Sequence, residues 1–149
     1  MHKRIVVPLD GSRAAEAVLP FIEEIAGPLG AEIVLVRVEP PSRGVLAPLP
    51  AFGEDALMAR HHAAQQYLVG WVKVLQAKGV RVDALVRIGE APGEIVAAAR
   101  EVGADLIAMT TQGQSGLRRL LVGSTADSVL HTASVPVVLF HPTPSAPSG

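Results

Sequence analysis

The sequence predicts an α/β fold: one domain built on an open, parallel five-stranded sheet with helices on both faces. Three observations predict it. Strand-like and helix-like segments alternate from end to end, which is the pattern of βαβ units. The strand-like segments are mostly continuous aliphatic runs, as strands buried on both faces require. Of the 149 residues 49% are hydrophobic but only 3% aromatic, so Val, Leu, Ile and Ala must build the core. A chain of this length can bury such a sheet as one domain, expected over 1–141.

The first strand is Ile5-Val6-Val7-Pro8-Leu9, with Pro8 near its end, where a missing ladder donor costs least. Ser12 is expected to cap a helix reaching about Ala26, with Ala14, Val18, Phe21, Ile22 and Ile25 on one face. Gly27-Pro28 and Gly30 are expected to stop it. The second strand is Ile33 to Val38. A Pro-rich excursion from Glu39 to Gly53 is long for such a connection and reads as a functional flap or a mobile segment. Glu54 to about Lys78 has the pattern of a long helix, with Gly79 as its C′ residue. Val80 to Ile88 alternates apolar and polar residues, as a strand nearer an edge does. Ala91-Pro92 to Val102 is the next helix, Pro92 being tolerated in its first turn. Asp105 to Met109 is the fourth strand and Val135 to Phe140 the fifth. The Pro/Ser tail, 142–149, has nothing to bury and is expected to be disordered.

A net charge of −1 argues against a nucleic-acid or anionic-membrane partner. The absence of Cys excludes disulfides, thiolate nucleophiles and thiolate metal sites. No stretch approaches the roughly 20 apolar residues that span a bilayer, and Met1-His2-Lys3-Arg4 leads straight into a strand rather than a secretory h-region. A soluble, cytoplasmic protein is expected.

The segment carrying chemistry runs from Met109-Thr110-Thr111-Gln112-Gly113 to Gly123-Ser124-Thr125. Its glycines let the backbone approach a ligand and turn N–H groups inward. A helix starting near Ser124 adds open amides and a partial positive end, which suit a phosphate. Arg118 and Arg119 lie in the same loop. Ser124-Thr125-Ala126-Asp127 also reads as a plain capping box, so spacing alone leaves a capped turn and a phosphate cradle both open. The loop does not match GxxxxGK[ST], having no Lys after its glycines. Asp10 falls at the carboxyl end of the first strand, where open α/β sheets place their ligands. It can accept from a ribose hydroxyl or help hold Mg²⁺, or simply organise the turn before Ser12.

Taken together, these residues resemble the universal stress protein family over nearly the whole chain. The resemblance rests on Ile5 to Ser12, Val36-Arg37-Val38, the Gly89 turn and above all the last third. ATP-binding members carry glycine, two residues, glycine, nine residues, then glycine and Ser or Thr. Gly113 and Gly123-Ser124 fit that motif, while Thr110 replaces its first glycine. Threonine brings a Cβ and a hydroxyl and resists positive φ. Gln112 and Gln114 stand where His and Arg are often seen. The resemblance implies a Rossmann-like sheet ordered 3-2-1-4-5, as in the adenine nucleotide α-hydrolase-like fold. It also implies ATP, with Mg²⁺, in a site of Pro8, Leu9, Asp10, Val38, Met109, Thr110, Gly113, Gly123, Ser124 and Thr125. Adenine would lie on the Val38 backbone and phosphates on Gly113, Gly123, Ser124 and Thr125, with Asp10 toward the metal. A homodimer through Val137–Phe140 is implied as well.

The function implied is a stress-response regulator or nucleotide sensor; no general base suggests strong catalysis, though slow hydrolysis stays open. One alternative is an interaction protein of the same fold that has lost nucleotide through Thr110. Another is an adenylating enzyme, but Asp10-Gly11-Ser12 is not the SGGxDS loop that enzymes of that kind carry. His61 and His62 point about 100° apart on a helix and do not share a face. His131 and His141 show no partner in the sequence, and Tyr67 and Trp71 read as a packing pair.

Overall fold

The computed structural model describes residues 3–41, 50–111 and 122–141. In chain order these form β1 (Arg4–Pro8), α1 (Arg13–Glu16), α2 (Leu19–Leu29), β2 (Glu32–Glu39), α3 (Pro50–Ala77) and β3 (Arg81–Ile88). They continue with α4 (Ala91–Glu101), β4 (Leu106–Thr110), α5 (Ser124–Thr132) and β5 (Val137–Phe140). All strand pairs are parallel, and the sheet order is β3-β2-β1-β4-β5. The expected architecture and strand order are thus the observed ones, with the half-exposed β3 at an edge.

Aliphatic alternation explains the two layers. Along β1 and β2, Ile5, Val7, Ile33 and Leu35 face a core shared with α1, α2 and α3. Val6, Val34 and Val36 face the other core, with Ile95 and Ala98 of α4 and Val129 of α5. Val6, Val7, Ile33, Leu35 and Val36 are wholly inaccessible; burying such a side chain stabilises by about 1.5–3 kcal/mol. Pro8 is harmless because β1 pairs with β4 only at Ile5 and Val6, while Leu9 N–H still donates to the Val36 carbonyl at 2.8 Å.

Three local expectations are corrected. The helix after Ser12 is not continuous to Ala26: α1 ends at Glu16 and α2 starts at Leu19. Pro20 has no N–H to give the Glu16 carbonyl, so the α-helical ladder lapses there. Nor do Gly27-Pro28 stop the helix, which continues to Leu29 and ends on Gly30 at φ 61. A proline in the last turn forfeits one hydrogen bond, whereas left-handed Gly30 ends the helix geometrically. Finally, α3 begins at Pro50 rather than Glu54, so the excursion is shorter than expected. Residues 42–49 of it, and the tail 142–149, lie outside the described residues.

Candidate functional site

At the carboxyl ends of β1, β2 and β4 the sheet reverses its winding, and a cleft of about 450 Å³ opens there. This is the topological switch point, where crossover helices leave on opposite faces and the strand ends part. Pro8, Leu9 and Asp10 come to the cleft from β1, Val38 from β2, and Met109 and Thr110 from β4. Gly123, Ser124 and Thr125 come from the start of α5. Gly113, with Gln112, Gln114, Arg118 and Arg119, lies outside the described residues.

The Asp10 turn is built by short-range bonds. Asp10 Oδ1 accepts from the Ser12 amide at 2.9 Å and from the Ser12 hydroxyl at 2.5 Å. Ser12 Oγ in turn accepts from Ala15 N–H at 3.1 Å, which is the expected N-cap of α1. Gly11 between them has φ +88, a conformation that costs a side-chain-bearing residue about 1–2 kcal/mol. Asp10 therefore does organise the turn, and it also lines the cleft.

The capping box at Ser124 does not form. Gly123 is the N-cap of α5, with φ −60 and ψ 158, and Ser124 occupies the first helical position. Gly123 N–H donates to the Thr111 carbonyl at 2.6 Å, and that oxygen is 3.1 Å from where a Cβ on Gly123 would sit. Close approach to the end of β4 thus sets the helix start. Asp127 N–H makes the first intrahelical bond, to Gly123 O at 2.9 Å. The amides of Ser124, Thr125 and Ala126 have no partner within the helix, and all three residues line the cleft.

Thr110 is the last residue of β4, paired with Phe140 and 6% exposed. No described residue other than glycine has a left-handed φ, so threonine is not strained here. The next residue, Thr111, joins three elements. Its amide donates to Phe140 O at 3.0 Å, its carbonyl holds Gly123, and its hydroxyl bonds His141 Nδ1 at 2.9 Å. His141 therefore has a partner that the sequence did not reveal; His131 has one too, its Nδ1 lying 2.7 Å from the Asp127 carbonyl. Tyr67 and Trp71 likewise do more than pack: both donate to Glu16 Oε2.

Sequence reasoning missed Arg37 and Glu39, which also line the cleft. Arg37 Nε pairs with Glu39 at 3.0 Å, and Glu39 is bridged by Arg60 of α3 at 3.3 Å. The usable signal was charge at the exit of an otherwise aliphatic strand. Among the described residues no three His, Cys, Asp or Glu side chains converge on a metal position. Asp10 fits Mg²⁺ only as an ion whose remaining ligands are phosphate and water oxygens.

A five-stranded 3-2-1-4-5 parallel sheet with a switch-point cleft defines a Rossmann-like α/β protein. The family model described as the universal stress protein family matches residues 1–141; the chain belongs to that family. It is 33% identical over 141 residues to Universal stress protein MJ0531 of Methanocaldococcus jannaschii, covering 93% of this chain and 82% of that one. The solved structure of MJ0577, from the same organism, superposes with a TM-score of 0.85 at 25% identity, covering 97% of this chain and 99% of that one. A universal stress protein of Archaeoglobus fulgidus, solved in complex with dAMP, superposes with a TM-score of 0.64 at 23% identity, covering 93% and 97%.

Proposed function

We propose that the protein binds an adenine nucleotide, ATP with Mg²⁺ being the form its motif suggests, and acts as a stress-linked regulator rather than a strong catalyst. One observation carries the reading: the cleft sets the Asp10 turn and the open α5 N-terminus around one space. Backbone amides and the positive helix end favour phosphate, while a carboxylate at a strand end favours ribose hydroxyls. That a protein of this fold holds dAMP shows that the fold can host such a ligand. The site proposed is Pro8, Leu9, Asp10, Val38, Met109, Thr110, Gly123, Ser124 and Thr125, completed by Gly113.

Isothermal titration with ATP, AMP and cAMP, with and without Mg²⁺, tests the reading. Saturable binding is expected for at least one, and no heat with any of them at millimolar concentration defeats it. We further propose a cytoplasmic homodimer through β5. That strand ends the sheet, and its open ladder edge would otherwise be bare. Phe140 is already stacked on Phe21 at 5.7 Å, so the backbone edge would supply much of the contact. Sedimentation of a single-chain species at micromolar concentration would remove the dimer. Among the described residues no helix is long and apolar enough to cross a membrane.

A further inference from the structure

Arg37 is out of place in an aliphatic strand. Strand alternation sends Val36 and Val38 to the α4 side and Arg37 to the side of α3. There its guanidinium carbon lies 4.8 Å from the Tyr67 ring centroid. It also meets the Asp10 turn: Nη1 is 2.8 Å from where a Cβ on Gly11 would be. The guanidinium thus touches both the ring and the glycine, and the Nε bond to Glu39 at 3.0 Å fixes it.

The contact continues in both directions. Glu39 holds Arg60, whose Nη2 also donates to the Pro40 carbonyl at 2.7 Å. Tyr67 donates through its hydroxyl to Glu16 Oε2, and Trp71 Nε1 reaches the same oxygen at 3.4 Å. Burial and the Glu16 carboxylate push the Tyr67 phenol up, so it remains a donor. α3 therefore reaches this region at two points: its Tyr67 ring meets Arg37 of β2, which contacts Gly11, and Tyr67 and Trp71 donate to Glu16 at the end of α1.

We propose that Arg37 is the positioning residue of the cleft: it holds the Asp10–Ser12 turn and ties it to α3, so that a ligand on Asp10 is felt at Trp71. The ligand half of this rests on the nucleotide reading; the mechanical half rests on the geometry alone. A cation–π stack and a charge-assisted bond resist displacement. Deleting the guanidinium removes the three atoms nearest to where a Cβ on this left-handed glycine would sit.

The test uses nitrogen-labelled full-length protein and its magnetic resonance spectrum. Trp71 is the single tryptophan, so one indole resonance reports on it. In the free protein, Arg37→Met is expected to move the Gly11, Ser12 and Trp71 indole signals and leave Ala98 and Val129 in place. Unmoved Gly11 and Trp71 signals overturn the inference. With AMP added, the wild-type indole signal is expected to shift, while Arg37→Met binds at least about tenfold more weakly with no indole shift. Equal affinity and an equal indole shift overturn the inference and leave the nucleotide reading standing. If the wild type binds no AMP, cAMP or ATP, the nucleotide reading and its ligand half fall, and the free-protein spectra decide the mechanical half. Arg37→Lys keeps the charge without the plane; it is expected to move the same signals as Arg37→Met and replaces that variant where the latter fails to fold. Full recovery by lysine means that charge alone acts and overturns the positioning role.

Discussion

Replacing Thr110 with glycine tests the residue that the proposed nucleotide reading sets in place of the motif's first glycine. Thr110 is 6% exposed at the end of β4, and its extended backbone needs no left-handed φ. Glycine therefore relieves no strain and brings its usual penalty of roughly 0.5–1 kcal/mol. Loss of a buried methyl adds roughly 0.8 kcal/mol. The sum, at least about 1.5 kcal/mol since the buried hydroxyl is lost as well, corresponds to a fall in Tm of at least about 3–6 °C for a chain of this size. Nucleotide affinity should barely respond. The exit of β4 is held by Thr111, through bonds to Phe140 O at 3.0 Å and from Gly123 N at 2.6 Å, and the substitution leaves both intact. Thr110→Gly should thus melt earlier in circular dichroism yet bind AMP and ATP within about threefold of the wild type by titration calorimetry. Affinity gained by about tenfold or more would refute the reasoning, because it would mean that the threonine side chain stands in the ligand's place.

Three further outcomes follow from the same geometry. Ser12→Ala removes the N-cap of α1 and the one hydrogen bond its hydroxyl donates to Asp10; urea denaturation should show a loss of about 1 kcal/mol, and an unchanged midpoint would contradict the cap. Gly11→Ala and Gly70→Ala should move stability in opposite directions. The first meets Arg37 at φ +88 and should lose about 1–2 kcal/mol. The second, exposed in mid-α3 with open space around it, should gain about 0.5–1 kcal/mol. Tyr67 is the only tyrosine, and its folded pKa is raised by burial and Glu16. The stability it contributes is whole below the unfolded value of about 10 and is lost as pH rises through the raised folded value. Tyrosinate absorbance should therefore stay flat through about pH 10 and rise only with unfolding; a normal titration midpoint in the folded state would be the contrary result.

The sheet was legible because its physics is local. Val6, Val7, Val34 and Val36 are buried on both faces of central strands, and a strand of that kind has one readable signature, an unbroken aliphatic run. The break at Ala17-Val18 was readable too, since Pro20 denies the Glu16 carbonyl its donor; an apolar face that continued in helical register from Val18 to Ile25 concealed it. Hydrophobic period reports which face is buried, not whether the backbone ladder persists along it.

The site was legible only in part, for a different reason. A capping serine and an anion-binding amide draw on the same residue types, one position apart. Ser12 caps because Gly11 turns the chain and leaves Ser12 extended, at φ −85 and ψ 151. Ser124 does not, because Thr111 O draws Gly123 close and makes the glycine the extended residue. What decides between them is a contact from another strand, and no spacing within the loop contains it. Arg37 is the same lesson at longer range. Its charge in β2 was visible, but its meaning depends on Tyr67, thirty positions on, offering a ring to the guanidinium while Gly11 offers it a bare Cα. A residue whose role is to fill the space between two others has no motif of its own. It is found where a glycine that must be glycine meets a side chain that needs the room.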